Sequence, residues 1–222
     1  MRRAIYTANF GGRDEMHDPR SPQPGTDYIC FTDDPELRSD VWDMRVMSKG
    51  HDDPCRDAKR YKVLAHEVLE GYDASVWIDC SFRLEGERDV WKVLEDVELG
   101  FFPHPSRRCV YEEAKRIQRC RQDHPKRVDR VVREYRELGF PENYGLWKGG
   151  IVFRQHIPTV KQFELAWWEL ICAGSRRDQL SLPVTIWMTG IKPVTLNPRV
   201  INLRQMGHRR RRKGVTNDQR GS

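Results

Sequence analysis

Ser75-Val76-Trp77-Ile78-Asp79 is a short apolar run with a carboxylate at its end. It predicts a buried strand that delivers Asp79 to its C-terminal edge. Just upstream, Ala58, Tyr61, Ala65, Val68 and Leu69 recur at helical spacing between Pro54 and Gly71, with charged residues on the other face. Before that helix, Ala4 to Phe10 reads as a buried strand ended by the Gly11-Gly12 turn. Tyr28 to Thr32 reads as a second strand, closed by Asp33-Asp34-Pro35, and a weaker third includes Trp42 to Val46. Strand, strand, helix, strand is the order of an open, mostly parallel α/β sheet flanked by helices. Such sheets collect ligands outside the carboxyl ends of their strands, which is where Asp79 stands.

Downstream, helices are expected over residues 110–122 and 126–138, the second with an apolar stripe of Val128, Val131, Val132, Tyr135 and Leu138 and a stop at Gly139. A strand over 150–154 and a helix over 159–172, ended by Gly174, follow. Asp178 is placed to cap a short helix that Pro183 limits or kinks, and β-like pieces are expected at 193–196 and 200–203. A chain of 222 residues suits one sizeable core. The expected division is a single domain over 1–207 and a basic tail over 208–222, where His208 to Lys213 are consecutive basic residues within a net charge of +6. Charged residues make up 32% of the chain, yet seven Trp, seven Tyr and eight Phe are too many for a disordered one. The six Cys show no C-x-x-C pair and no zinc-site spacing, and read as reduced thiols of a cytoplasmic protein. No run approaches the ~20 apolar residues that a membrane span needs, so a soluble protein without a membrane partner is expected.

Asp79-Cys80-Ser81 occupies the place where α/β nucleotide-sugar transferases keep an acidic D-x-D-like motif. A carboxylate there can bind Mn²⁺ or Mg²⁺, which neutralises a donor diphosphate as its bond to the sugar breaks. Arg56, Lys59, Arg60 and Lys62 on the preceding helix are the counter-charges a diphosphate wants. The plain alternatives are a strand-end aspartate capping a turn and a solvated helix face.

Six ordered blocks carry a resemblance. They are Ile5 to Gly12, Cys30-Phe31-Thr32-Asp33, Ala58-Lys59-Arg60-Tyr61-Lys62, Trp77-Ile78-Asp79, His104 to Ala114, and Gly174 to Ser181. Together they resemble the glycosyltransferase-like domain of plant Golgi mucilage and pectin proteins, a domain also found in bacteria and viruses. The resemblance runs from about residue 4 to 208. It implies a GT-A type fold and transfer of a sugar from a nucleotide-diphosphate donor. Thr7, Ala8 and Asn9 with Gly11 and Gly12 would then border the nucleotide, and Thr32 and Asp33 its base or ribose. Asp79 would bind metal and diphosphate, with Ser81 standing where a second carboxylate could be, and His104 and Arg107 would border the donor beside Lys59, Arg60 and Lys62.

Of the adjacent Glu112 and Glu113, only one can easily face a site from a helix, and Glu112 is taken as the candidate. Asp178-Gln179 resembles the acidic-amide pair that GT-A enzymes place below the reacting sugar carbon, where it could orient the acceptor, act as base or stabilise positive charge. Trp147, Gly149, Gly150 and Arg177 are candidates for contact with sugar or acceptor, and His208 for a further metal ligand. The expected acceptor is a hydroxyl of a glycan or polysaccharide. Two other readings stay open: transfer to a hydroxylated base in DNA gripped by the basic tail, and a non-catalytic nucleic-acid-binding module.

Overall fold

The computed structural model describes residues 1–12, 14–48 and 50–206. Strands β1 (Arg3–Asn9), β2 (Asp27–Thr32), β3 (Asp43–Val46) and β4 (Ala74–Ile78) pair in parallel in the order β3-β2-β1-β4. Beyond β4 the sheet continues through β7 (Trp147–Gln155), β6 (Leu99–Pro103) and β8 (Val194–Thr195). Strand β7 runs antiparallel to both β4 and β6. The start of β7 therefore lies at the same sheet edge as the ends of β1 and β4. A small second sheet pairs β5 (Phe82–Leu84) with β9 (Leu203–Gln205). This is the α/β, GT-A-like, mostly parallel architecture expected from the sequence.

Period-two alternation divides the core between the two faces of the sheet. Tyr6, Ala8 and Trp77 face a layer made by α1 (Pro54–Val63), α2 (Ala65–Val68), α5 (Pro158–Ala173) and α6 (Asp178–Thr189). Ile5, Val76 and Ile78 face the opposite layer, with Trp42, Trp91, Leu94 and Ile201. A third cluster joins α3 (Val110–Arg119) and α4 (Pro125–Glu137) to the outer side of α6 through Ile117, Val131, Leu180 and Val184.

Four expectations need correction. The helix between Pro54 and Gly71 is two helices, because Leu64 leaves helical geometry at φ −92°, ψ 57°. Pro183 neither stops nor shortens its helix, since α6 runs twelve residues through it. The proline sits in the second turn, where it removes one ladder bond that extensive burial compensates. Asp178 is not a cap: Arg177 holds that position and Asp178 is the first helical residue. Strand β6 was not expected at all.

Candidate active site

Helix α1 builds the cationic wall. Asp53 caps it by accepting from the Cys55 N–H at 3.0 Å, and Pro54 supplies the preset first turn. Tyr61 stacks on Phe10 and Phe31, with ring centroids 5.1 and 4.6 Å away, and fixes the helix rotation. Lys59 and Lys62, three residues apart, then share one face. From behind, buried Arg154 of β7 donates to the Lys62 and Val63 carbonyls at 3.0 and 3.2 Å, capping the helix C-terminus with positive charge. Glu164 of α5 pairs with Arg154 at 2.6 Å and also accepts from the His66 N–H at 3.1 Å.

Both lysines converge on Asp178. Lys59 Nζ lies 3.1 Å from its Oδ2, and Lys62 Nζ donates to the same oxygen while standing 3.5 Å from Asp79 Oδ1. Burial opposes ionisation of Asp178, but Lys59, Lys62 and Arg177 prevail and hold its pKa well below the usual carboxylate range. Burial works equally against Lys59, yet Asp178 and Asp79 keep its pKa above the ordinary lysine value. Gly149 passes so close that a Cβ there would stand 2.9 Å from Asp178 Oδ2 and 3.1 Å from Lys62 Nζ. Any larger residue at 149 would push the pair apart.

Asp79 follows β4, with its N–H bonded to the Gly150 carbonyl at 2.8 Å. Its Oδ1 accepts from the Trp77 indole at 2.7 Å, which leaves Oδ2 as the oxygen open to a ligand among the described residues. No group of three His, Cys, Asp or Glu converges there among the described residues, so an all-protein metal cage is not what this site offers. One available carboxylate oxygen does fit a divalent ion carried largely by substrate phosphates, the usual manner of Mg²⁺. His208 lies outside the described residues.

These groups open into a cleft of about 660 Å³. Ala8, Asn9, Lys59, Lys62, Asp79, Ser81, His104, Arg107, Gly149, Gly150, Arg177, Asp178 and Gln179, which the sequence divides among catalytic, donor and acceptor candidates, all line it. Others stand behind it. Thr7 alternates away from the cleft into the sheet, whereas Thr32 donates to the Asn9 carbonyl at 2.8 Å and Asp33 accepts from the Gly11 N–H at 2.9 Å. With Gly11 and Gly12 at φ +70° and +59°, these residues shape the loop after β1 and do not form the cleft wall. Arg60 points outward to Glu67 at 3.1 Å. Trp147 donates to Thr195 Oγ1 at 2.9 Å, and its carbonyl accepts from the Gln179 amide. Arg56 is spent on the Cys172 and Gly174 carbonyls. Glu112 is exposed, whereas Glu113 is buried on the cleft wall and pairs with Arg107.

Sequence reasoning missed Arg116, Arg121 and Lys148, which with Arg176 beside Asp178 raise the cleft lining to eight Lys and Arg against four carboxylates. Arg121, which the sequence placed inside a helix over 110–122, sits at φ +52°, one residue past the C-cap of α3, where glycine is the usual choice. An L-residue there costs about 1 kcal/mol. Arg116 Nη1 and Arg177 Nε are buried, and among the described residues neither has a hydrogen-bond partner. Each such donor costs on the order of 1–3 kcal/mol.

Residues 4–198 match the TOD1/MUCI70, glycosyltransferase-like domain. The chain belongs to this family. No curated protein matches it. A TOD1/MUCI70 domain is glycosyltransferase-like, and in this one the cleft opens at the carboxyl ends of β1 and β4, the edge where open α/β sheets collect ligands. No helix among its described residues is long and apolar enough to cross a membrane.

The histidines of this TOD1/MUCI70 domain predict its acid response. Burial, then Arg107 and Lys148, lower the His104 pKa from 6.5 to about 4. Burial, opposed by Glu164 and aided by Arg154, Lys161 and His66, brings His156 to about 4 as well. Between those values the unfolded chain binds protons that the folded one refuses, so stability must fall as pH drops through that window. Melting temperature should be level above about pH 7 and decline from about 6.5 towards 4. Replacing His156 with Gln should flatten part of the decline, and an unchanged slope in that variant would contradict the assignment.

Proposed function

We propose that the domain transfers a sugar from a nucleoside-diphosphate donor, of the UDP or GDP type, to a hydroxyl acceptor on a glycan. The observation that carries this reading is the convergence of Lys59 and Lys62 on Asp178 beside Asp79, at the carboxyl edge of the sheet. The two ammonium groups are the counter-charges for the diphosphate, and Asp178 holds them in place until it arrives. A carboxylate so firmly ionised is a poor proton acceptor, so Asp178 is assigned positioning and charge balance and not the work of a general base. Gln179, held to the Trp147 carbonyl, fixes the start of α6 under the sugar.

In the reaction the bond from the anomeric carbon to the diphosphate oxygen breaks with its electron pair leaving on the diphosphate. The acceptor oxygen forms the new bond to the anomeric carbon, and its proton passes to the departing diphosphate oxygen. Lys59 and Lys62 stabilise the departing charge. A Mn²⁺ or Mg²⁺ ion, when bound, would be held by Asp79 and would add further neutralisation of the diphosphate.

Thermal shift with UDP, GDP and their sugars, with and without Mn²⁺, tests the proposal, because a ligand of the folded state alone raises its stability. One nucleotide class should raise the melting temperature, more so with Mn²⁺. Asp79→Ala should abolish the Mn²⁺-dependent part of the shift while lowering the ligand-free melting temperature, because it also removes the acceptor of the Trp77 indole and a charge partner of Lys62. No response to any nucleotide would overturn the reading, and an undiminished metal effect in the variant would remove Asp79 from it.

A further inference from the structure

A second group of cations lies outside the cleft, on the small sheet of β5 and β9. Alternation turns Phe82, Leu84 and Leu203 towards the core and leaves Arg83 and Arg204 on the outer face. These two arginines are register partners, and like charges directly opposite each other destabilise a strand pair. Arg20 joins them along β5, where its N–H donates to the Leu84 carbonyl at 3.0 Å. One carboxylate lies among the three: Glu85 accepts from Arg83 Nε at 2.7 Å and pairs with Arg20 Nε at 3.2 Å. The Arg83 hydrogen bond, aided by the charges of Arg20 and Arg204, holds the Glu85 carboxyl below the usual glutamate range. Arg204 itself is exposed and forms no ion pair among the described residues.

Arg88 and Arg199 extend the face. Both are exposed, and Arg88 donates to the Arg199 carbonyl. The sequence carries the same trend onward, because residues 179–217 contain no Asp or Glu yet include Arg199, Arg204 and the run from His208 to Lys213. That run lies outside the described residues, but its point of departure does not. The Met206 N–H donates to the Ser81 carbonyl at 2.6 Å, so the chain leaves from the end of β9, and the basic run starts two residues later. None of these arginines lines the cleft, whereas Ser81, Phe82 and Gln205 do, so the face borders the cleft mouth.

Guanidiniums held side by side against their mutual repulsion suit an extended phosphate anion. No large apolar residue of β5 or β9 is exposed to enter a lipid surface. Nor is there an aromatic to stack on unpaired bases, since Phe82 turns to the core and the cleft. Arginine accepts no hydrogen bond and has nothing to offer the proton of a ribose 2′-hydroxyl. A DNA duplex, with one charge per ~1.7 Å of its axis, fits all three conditions. We infer that the outer face of β5 and β9, with Arg20, Arg83, Arg88, Arg199 and Arg204 and the basic run that follows it in sequence, is an interface for the phosphate backbone of duplex DNA. The inference uses no residue of the cleft and stands apart from the transferase reading, to which it adds a macromolecular partner held beside the cleft mouth.

The test is fluorescence anisotropy of a labelled DNA duplex titrated with the full chain over a series of salt concentrations. The logarithm of the affinity should fall linearly with that of the salt, with a slope of about −4.5 or steeper, as counterion release from five or more phosphates requires. The double variant Arg199→Gln, Arg204→Gln should bind about tenfold more weakly and with a slope shallower by about 2. Its melting temperature should match or slightly exceed the parent's, because both positions are exposed and one like-charge contact is relieved. The charge-preserving Arg199→Lys, Arg204→Lys should recover most of the affinity, which separates lost contact from lost folding. Removing the same charge from α4, by Lys126→Gln and Arg133→Gln, should leave affinity and slope as in the parent. An equal loss in that α4 variant would reduce the effect to bulk charge and overturn the inference. So would binding indifferent to Arg199 and Arg204 that disappears only when Arg209 to Arg212 are replaced with Gln. Tighter binding of phosphatidylserine vesicles, polyglucuronate or duplex RNA than of DNA would overturn it as well.

Discussion

Replacing Asp178 with Asn is expected to destabilise the protein by about 3 kcal/mol, towards the lower end of what breaking a buried ion pair costs. The side chain of Lys62 is 1% exposed, and its ammonium is shared between Asp178 and Asp79 at 3.5 Å. Without the Asp178 charge, Lys59 loses its one close carboxylate partner and Lys62 keeps only the more distant one. The cost stays near the low end because Asp79 still compensates and because the cleft admits water. The same change leaves Lys59 under-compensated where the diphosphate is proposed to bind, beside a Lys62 whose pKa burial already lowers and whose ammonium an arriving diphosphate would restore. A nucleoside diphosphate should therefore raise the melting temperature of Asp178→Asn by more than it raises that of the parent, even as turnover falls. Denaturant unfolding with and without the nucleotide measures both effects. A variant as stable as the parent would show that the lysines are solvated after all. A smaller nucleotide shift would show that they do not address the diphosphate.

That cluster also marks where the sequence ceases to be legible. Strands β1, β2 and β4 could be read because each is a continuous apolar run between turn residues, and Asp79 was placed because it follows the last of them. The amphipathic α4 was equally plain, with its valine stripe ending at Gly139. Strand β6 escaped because Gly100 and Pro103 leave only the pair Phe101-Phe102 as an uninterrupted β-favouring run, and pairing with β7 supplies the rest of its stability. The break at Leu64 was hidden because Ala58 to Leu69 keeps helical periodicity across it. Lys62 and Asp178 are 116 residues apart, and nothing local to either encodes their meeting. Choosing between Glu112 and Glu113 required the rotation of α3, which is fixed by Val110, Ala114 and Ile117 packing towards α4 and α6. Those contacts turn Glu113 to the cleft and Glu112 to solvent. The family blocks helped most at Asp79 and at the Asp178 end of α6, and least at Thr7 within β1 and at Thr32 and Asp33 at the end of β2, which act as framework behind Ala8 and Asn9.

Arg154→Met alone is expected to cost about 3–5 kcal/mol, because it strands Glu164, itself 1% exposed, without its guanidinium partner. Burial raises the Glu164 pKa while Arg154 and His66 lower it further, and the balance lies below the usual glutamate value; losing Arg154 takes away the positive charge that does most to keep it ionised. If charge pairing were the whole duty of Arg154, the double variant Arg154→Met, Glu164→Leu would recover most of the loss, since apolar replacement of a buried pair is often neutral. Full recovery is not expected here. Arg154 also supplies donors to the Lys62 and Val63 carbonyls, and Tyr6 Oη shares the first of these at 3.1 Å. Removing the guanidinium leaves the Val63 carbonyl and part of the Lys62 carbonyl unsatisfied, and removing Glu164 frees the adjoining His66 N–H, which together should hold the double variant about 2 kcal/mol below the parent. The residual has a direction as well as a size. It falls on the last turn of α1, so Lys62 should lose its fixed position and the nucleotide-induced shift should shrink in the double variant although its charge pair has been cleanly removed. A double-mutant cycle by denaturant unfolding, read alongside the nucleotide shift, separates the two duties. Complete recovery of stability together with an unchanged nucleotide response would mean that Arg154 balances a charge and positions nothing.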